Sequence, residues 1–181
     1  MPEYKHWKNY PTSEDLCFVT TGIEERVPVL GERENAQCLL SALDFYREKH
    51  GVLIHAYVVM LQHLHVLLRL PGTIRVEKLM ADYKRFTSKQ LLEWCESNQK
   101  NDFLSVFARR GAVDGDRYSV WERSFRSVPV FNERDAQIKI AYTHNNPVRA
   151  GIVERAEDWW FSSASAYAGG DAPIAVDIIQ F

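Results

Sequence analysis

The pattern of hydrophobic and polar positions predicts strands and one helix in the first part of the chain. The strand segments alternate or are almost wholly apolar, whereas the helical segment repeats apolar side chains every three or four positions. The predicted elements are a strand at 15–23, a helix at 32–51 and strands at 52–60 and 63–70. Only Leu61 and Gln62 separate the last two strands, so we predict a hairpin there.

The second part of the chain continues with helix, loop, strand and helix. Its periodicity predicts a helix at 74–97, a long loop at 98–119, strand character at 118–131 and a helix at 132–146 that stops before Pro147. The order of elements predicts an α+β fold in which helices pack on an antiparallel sheet, of the ferredoxin-like or RRM-like type.

Length and composition restrict the class of protein. A chain of 181 residues, 46% hydrophobic and 25% charged, is typical of one globular domain, here 1–181 with flexible ends at 1–14 and 169–181. No apolar run reaches the roughly 18 residues of a membrane helix, and the N-terminus has no signal-like apolar core, so we predict a cytoplasmic protein without a membrane partner. The three cysteines form no CxxC pair, which favours reduced core cysteines over disulfides or a zinc ribbon.

Two histidines interrupt the apolar strand at 63–70. His63 and His65 are two positions apart, so their side chains project from the same face of the strand, with Cα atoms roughly 7 Å apart. Two imidazoles at this spacing could hold one divalent ion. They could equally be two hydrogen-bonded histidines of the structure, and a third ligand is needed to decide between these interpretations.

A second candidate feature lies in the last predicted helix. Tyr142 and Asn146 are four residues apart, so they share one face of the helix, one turn from each other. The Asn146 amide could complete a site with His63 and His65, and the Tyr142 hydroxyl would then lie beside a metal ion. Taken alone, a tyrosine at the border of the core and an asparagine near a helix end are also common structural residues.

Together these segments resemble a known family. AYVVMLQHLHVLL resembles the HUH motif, His-hydrophobic-His, of single-tyrosine transposases. VWERSF and IAYTHNNPVRAGIVERAEDWWFSSASAY resemble the C-terminal half of the REP-associated branch of that family, and LMADYKRFTSKQLL is similar to its basic helix. The resemblance spans residues 18–167, and the joint pattern is far more specific than the HUH motif by itself.

The resemblance implies an enzyme that cleaves and rejoins single-stranded DNA at REP-like hairpins through a 5′-phosphotyrosine. It implies Tyr142 as the nucleophile and His63, His65 and Asn146 as ligands of Mg²⁺ or Mn²⁺, with no nucleotide cofactor. The implied partner is single-stranded or hairpin DNA, and a homodimer is compatible with the family. Two departures stand out: Leu61-Gln62 replaces the usual Pro-Asn, and Arg126 lies near a position where some relatives have a tyrosine.

Basic side chains supply candidates for DNA binding, although the net charge of −2 gives no general argument for it. The main candidates are Lys78, Arg85 and Lys89 on one helix face and Arg123 and Arg126 beyond it, with Arg109, Arg110 and Arg117 as further ones. A solvated amphipathic helix would show the same stripe of basic residues, Lys78, Arg85 and Lys89, on one face. Two other functions stay open: a non-cleaving binder of DNA hairpins, and an unrelated metal-dependent phosphoesterase.

Overall fold

Regular elements follow the periodicity of the sequence through most of residues 16–179, the part of the chain that this computed structural model describes. Strands form where alternate side chains are apolar, and helices form where apolar side chains recur on one face. In chain order the elements are β1 (Leu16–Gly22), α1 (Arg33–His50), β2 (Leu53–Met60), β3 (His63–Arg69), α2 (Val76–Ser97), α3 (Asn101–Asp114), β4 (Arg126–Pro129), α4 (Glu133–Arg149) and α5 (Ala164–Tyr167).

The four strands form one antiparallel sheet in the order β2-β3-β1-β4. A helix connects β1 to β2, a hairpin connects β2 to β3, and two helices connect β3 to β4. This is the ferredoxin-like arrangement, so the predicted α+β fold, an antiparallel sheet with helices packed on it, is confirmed. Within residues 16–179, no helix is long and apolar enough to span a membrane.

Helices pack on both faces of the sheet. The larger core lies between one face and the helices α1 and α2, and contains side chains such as Val19, Leu64 and Val66. The smaller core lies between the opposite face and α4, and contains Phe18 and Ile140. Because successive strand residues alternate between these two cores, the face that carries a given side chain follows from its position along the strand.

Helix α3 is the main difference from the sequence prediction, which has a loop at 98–119. Residues Asn101–Asp114 are helical, and Phe107 on this helix is fully buried. Gly111 lies against the backbone of Tyr118, where a Cβ atom would come within 2.5 Å of the amide nitrogen. Glycine lowers helix propensity but permits this close approach. The residue that suggested a loop therefore allows the helix to pack.

Two further boundaries differ from the prediction. Helix α4 continues through Pro147 to Arg149 instead of stopping before the proline. Pro147 is buried, and Ala150 still donates a backbone hydrogen bond to the Asn146 carbonyl at 3.0 Å, so the final turn is maintained. The strand character predicted at 118–131 is limited to β4 and one bridge between Ile23 and Trp121.

The segment that follows α4 covers the outer edge of β2. Val59 donates its backbone N–H to the Phe161 carbonyl at 2.9 Å, and Asp177 donates to the Ile54 carbonyl at 2.8 Å. The predicted flexible end at 169–181 thus includes residues that pair with the sheet, whereas the predicted flexible end at 1–14 lies outside the described residues. Covering an edge strand in this way leaves fewer unpaired backbone groups for contacts with other chains.

A strained turn follows β1. Glu25 has a φ of 48° and Arg26 a φ of 56°, both in the left-handed region that residues with side chains rarely adopt. Such a conformation costs about 1–3 kcal/mol for each residue. Two arginines of α3 form ion pairs with glutamates of this turn: Arg110 pairs with Glu24 at 3.1 Å, and Arg109 pairs with Glu25 at 2.6 Å.

The buried histidine of β2 makes stability depend on pH. His55 is 1% exposed, and its Nδ1 lies 2.6 Å from the Asp177 carbonyl oxygen, to which it can donate. Burial lowers the pKa of His55 to about 4, whereas an unfolded histidine has a pKa of about 6.5. The unfolded chain therefore binds this proton more readily, so the stability from neutral His55 is complete above pH 6.5 and is lost as the pH falls toward 4.

His55→Asn keeps a hydrogen-bond donor but does not titrate. Between pH 7 and pH 4.5 we expect the free energy of unfolding of the wild type to fall by about 2 kcal/mol more than that of the variant. Urea unfolding across this range measures the difference, and the other histidines cancel in the comparison. Parallel decreases in the two proteins would contradict the prediction.

Candidate nucleophile and metal site

The two histidines of β3 project together from the face that α4 covers. The ring centroids of His63 and His65 are 4.7 Å apart, with the ring planes at 79°. The strand pairing places Gly22 of β1 opposite His63 and Thr20 opposite His65. The prediction that both imidazoles share one face is therefore confirmed by the sheet register.

A hydrogen bond and a stacked ring fix the orientation of His65. The Thr20 hydroxyl lies 2.8 Å from Nδ1 of His65, and the Phe18 ring stacks on the imidazole with centroids 5.5 Å apart. With Nδ1 engaged by Thr20, the opposite nitrogen Nε2 is the one available to a ligand. Oriented imidazoles of this kind, held through their second nitrogen, are typical of metal-binding histidines.

Both imidazoles are held in the neutral form. Burial and, to a smaller extent, the positive charge of Arg26 lower the pKa of His63 to about 4. Burial lowers the pKa of His65 to about 3, with smaller effects from His63 and Lys139. Because a metal binds the neutral imidazole, neither ring would have to lose a proton at neutral pH.

Helix α4 places Tyr142 over this pair. The Tyr142 ring meets the His65 ring edge-on, with centroids 5.3 Å apart, and it also meets Phe18 edge-on at 5.9 Å. The side chain is held on these two rings, yet the residue stays 38% exposed. The guanidinium of Arg149 lies 5.7 Å from the centre of the Tyr142 ring.

Asn146 lies one helical turn beyond Tyr142. Its amide nitrogen donates to the Tyr142 carbonyl at 3.1 Å, which leaves the side-chain oxygen as the group that could bind a ligand. His63, His65, Tyr142 and Asn146 all line one open cavity of about 560 Å³. The structure therefore brings together all four residues that the sequence analysis assigned to the site.

The donor set fits a divalent cation through two nitrogens and one amide oxygen. Among residues 16–179 there is no cluster of three or more His, Cys, Asp or Glu side chains that could hold a metal. A cation at this site would depend on the Asn146 oxygen and on water or substrate oxygens beside the imidazoles. Open coordination of this kind is typical of catalytic rather than structural metal sites.

The predicted DNA-binding residues fall into two groups. Arg126 of β4 lines the cavity and lies opposite Thr20 in the sheet. Lys78, Arg85 and Lys89 are on α2, which packs on the opposite face, and they pair with Asp82 and Glu93 along that helix. The structure does not bring this stripe to the histidines.

The remaining arginines differ in their contacts. Arg123 lies 3.7 Å from Asp114, and Arg117 stacks on Tyr118 with its guanidinium 5.3 Å from the ring centre. Arg109 and Arg110 pair with the strained turn after β1. DNA binding by any of these side chains stays a prediction.

Three charged residues at the site are not among the candidate residues that the sequence predicts. Arg26 and Arg149 line a second cavity of about 370 Å³ that shares His63, Tyr142 and Asn146 with the first. The Glu122 carboxylate lies over Gly22, where a Cβ atom would come within about 3.0 Å of it. Glu122 and Arg149 lie within the segments VWERSF and NNPVRAGIV that resemble the family, and this resemblance is the clue that could have indicated their positions.

Comparison with known proteins identifies the family. The family model described as IS200-like transposase matches residues 18–146. The chain belongs to the IS200-like transposase family. The resemblance to single-tyrosine transposases is thereby confirmed, and the matched range includes the two histidines, Tyr142 and Asn146.

Two similar proteins are named as REP-associated tyrosine transposases. A protein of Haemophilus influenzae, named as a REP-associated tyrosine transposase, is 26% identical over 113 residues. That alignment covers 60% of this chain and 56% of the relative, so the chain matches little more than half of the relative's length. The solved structure of a REP-associated tyrosine transposase bound to a REP hairpin superposes with a TM-score of 0.61 at 23% identity, covering 100% of this chain and 95% of that one, which shows a common fold.

The Thr20–His65 hydrogen bond provides a test of the metal site. We expect Thr20→Val to weaken Mn²⁺ binding by about 10–100-fold, because His65 loses the group that orients it. Isothermal titration calorimetry measures the affinity, with His63→Ala as the variant that removes a ligand. Thr21→Val is the matched control, since the Thr21 hydroxyl is buried without a hydrogen-bond partner among the described residues. Equal affinities for the two threonine variants would contradict this role of Thr20.

The stripe on α2 has its own test. If Lys78, Arg85 and Lys89 contact DNA, changing all three to Ala should weaken binding of a hairpin oligonucleotide and flatten its salt dependence, because fewer counterions are released. Fluorescence anisotropy at several salt concentrations measures both effects. An unchanged affinity and slope would show that the stripe is a solvated face.

Proposed function

We propose that this chain is a single-stranded DNA transposase that cleaves and rejoins strands at REP-like hairpins through a phosphotyrosine on Tyr142. The observation that carries this proposal is the position of Tyr142, edge-on to His65 at 5.3 Å and in one cavity with His63 and Asn146. The family supports the class of enzyme. The hairpin substrate is proposed because the REP-associated relative of known structure was solved with a REP hairpin.

The proposed step transfers a phosphoryl group to a phenol and back. The Tyr142 oxygen attacks the scissile phosphorus, an O–P bond forms, and the bond from phosphorus to the 3′-oxygen breaks. The phenol gives up its proton, and the departing 3′-oxygen takes up one to become a hydroxyl. A 3′-hydroxyl can reverse the same step, and no nucleotide cofactor is needed because the phosphotyrosine conserves the energy of the phosphodiester.

His63, His65 and Asn146 are the residues that we propose to hold Mg²⁺ or Mn²⁺. When bound, the cation would polarise the scissile phosphate and offset the charge that develops on it. The chain's own contribution is the alignment of donors: Thr20 orients His65, and the α4 backbone orients Asn146 relative to Tyr142. Action on DNA is consistent with the cytoplasmic location that the sequence predicts.

Tyr142→Phe tests the nucleophile directly. The variant removes one oxygen and keeps the ring contacts with His65 and Phe18, so we expect stability to change little. Wild-type protein, incubated with Mn²⁺ and an end-labelled oligonucleotide carrying a hairpin from the DNA beside the gene, should give an adduct that resists denaturation. The adduct should carry the 5′-phosphate side of the strand, and Tyr142→Phe should give none.

Tyr118→Phe is the matched control, since Tyr118 lies outside the cavity. Removal of the Tyr118 hydroxyl should leave adduct formation unchanged. Tyr83 is a poor alternative nucleophile, because it is buried and donates to the Leu39 carbonyl at 3.1 Å. An adduct that survives in Tyr142→Phe would contradict the assignment. Hairpin binding without any adduct from the wild type would favour a non-cleaving binder, and hydrolysis without an adduct would favour a phosphoesterase.

A further inference from the structure

The strained turn after β1 places an arginine at the centre of the site. Arg26 lines both cavities, and the residues that the two cavities share are Arg26, Gln62, His63, Tyr142 and Asn146. Arg26 is exposed, and no carboxylate among residues 16–179 forms an ion pair with it. Its guanidinium is therefore available to an anion beside the nucleophile.

Helix α3 fixes the turn that presents Arg26. Glu25, the first of the two left-handed residues, pairs with Arg109 at 2.6 Å. Glu24 is buried and pairs with Arg110 at 3.1 Å, while its backbone N–H donates to the Val120 carbonyl at 2.9 Å. Residues in sparsely populated backbone conformations persist when the surrounding contacts hold them there, and such residues cluster at functional sites.

The two cavities share part of their lining, and each adds one arginine of its own. Arg126 lines the first cavity on the β4 side, and Arg149 lines the second cavity at the end of α4. Arg26 belongs to the lining that the two cavities share. A single strand of DNA carries a phosphate at each nucleotide, so a chain of cations along a groove is suited to its backbone.

We propose that Arg26 binds the phosphate that Tyr142 attacks, and that Arg109 and Arg110 are positioning residues that hold the Glu24–Arg26 turn. This inference rests on the proposed function and names a further residue of that site. A guanidinium is always charged and donates two parallel N–H bonds to phosphate oxygens, so it stabilises a phosphoryl group in transfer. The two α3 arginines, which the sequence analysis considered for DNA contact, act here through Glu24 and Glu25.

The first experiment measures the phosphate contact without chemistry. In the Tyr142→Phe background, hairpin oligonucleotides with one neutral methylphosphonate linkage each are scanned through the single-stranded flank. Neutralising the linkage that Arg26 contacts should weaken binding, and Arg26→Gln should remove the sensitivity at that linkage alone. Arg75→Gln, an exposed arginine outside both cavities, is the matched control and should keep the full profile.

The second experiment measures the rate of adduct formation. Arg26→Gln should slow it by about 100-fold or more, as expected for loss of a charged donor to a transferring phosphate, and Arg26→Lys should retain part of the rate. The sensitive linkage from the scan should be the linkage that the wild type cleaves. An unchanged rate, or a sensitive linkage elsewhere, would overturn the role of Arg26.

A double-mutant cycle tests the positioning residues. Arg109→Gln breaks an exposed ion pair, so the melting temperature should hardly change, yet the adduct should form about threefold more slowly or worse. In the Arg26→Gln background the same change should have no further effect. If the effects of Arg109→Gln and Arg26→Gln on the rate of adduct formation were fully additive, Arg109 would not act by positioning Arg26.

The two proposals fail in different ways. If the wild type forms no adduct, the proposed function fails, and the linkage scan alone decides whether Arg26 contacts a phosphate. If the wild type forms the adduct and Arg26→Gln equals it in rate and in linkage sensitivity, only the inference about Arg26 fails.

Discussion

Pairing of β1 with β3 is the constraint on which the candidate site depends. In the observed register Thr20 lies opposite His65 and Gly22 opposite His63. A shift of one residue would turn both imidazoles to the other face, into the core beneath α1 and α2. The same register provides the Thr20–His65 hydrogen bond and leaves room over Gly22 for the Glu122 carboxylate. The backbone register of β1 and β3 thus determines which side chains can meet in the cavity.

The helices on the far face support the walls of the cavity from behind. Lys84 of α2 donates to the Glu122 carbonyl at 2.5 Å, and Trp121 donates its indole N–H to the Thr87 hydroxyl at 3.0 Å. Burial lowers the pKa of Lys84, and the nearby carboxylates of Glu122 and Glu24 oppose that effect. A helix that does not touch the histidines therefore still determines where the segment before β4 lies.

Local patterns explain which parts of the fold and site could be predicted from the sequence. The two-residue spacing of His63 and His65 and the four-residue spacing of Tyr142 and Asn146 are properties of a strand and a helix, so periodicity was enough to place each pair on one face. Helix α3 was missed because Gly111, which its packing requires, weakens the helical pattern. Arg26 could not be found because its position depends on ion pairs with a helix more than eighty residues away along the chain.

Helix α4 crosses one face of the sheet and is anchored at both edges. Its N-terminal end follows β4, and the segment that leaves its C-terminal end covers β2, where Ser163 bonds both to the β2 backbone and to His144 of the helix. Because both ends of α4 are anchored, the helix could pack on the sheet of a second copy only after one edge of its own sheet is uncovered. Tyr142 accordingly lies beside an imidazole of its own chain, and all four residues of the candidate site in this structure come from one chain.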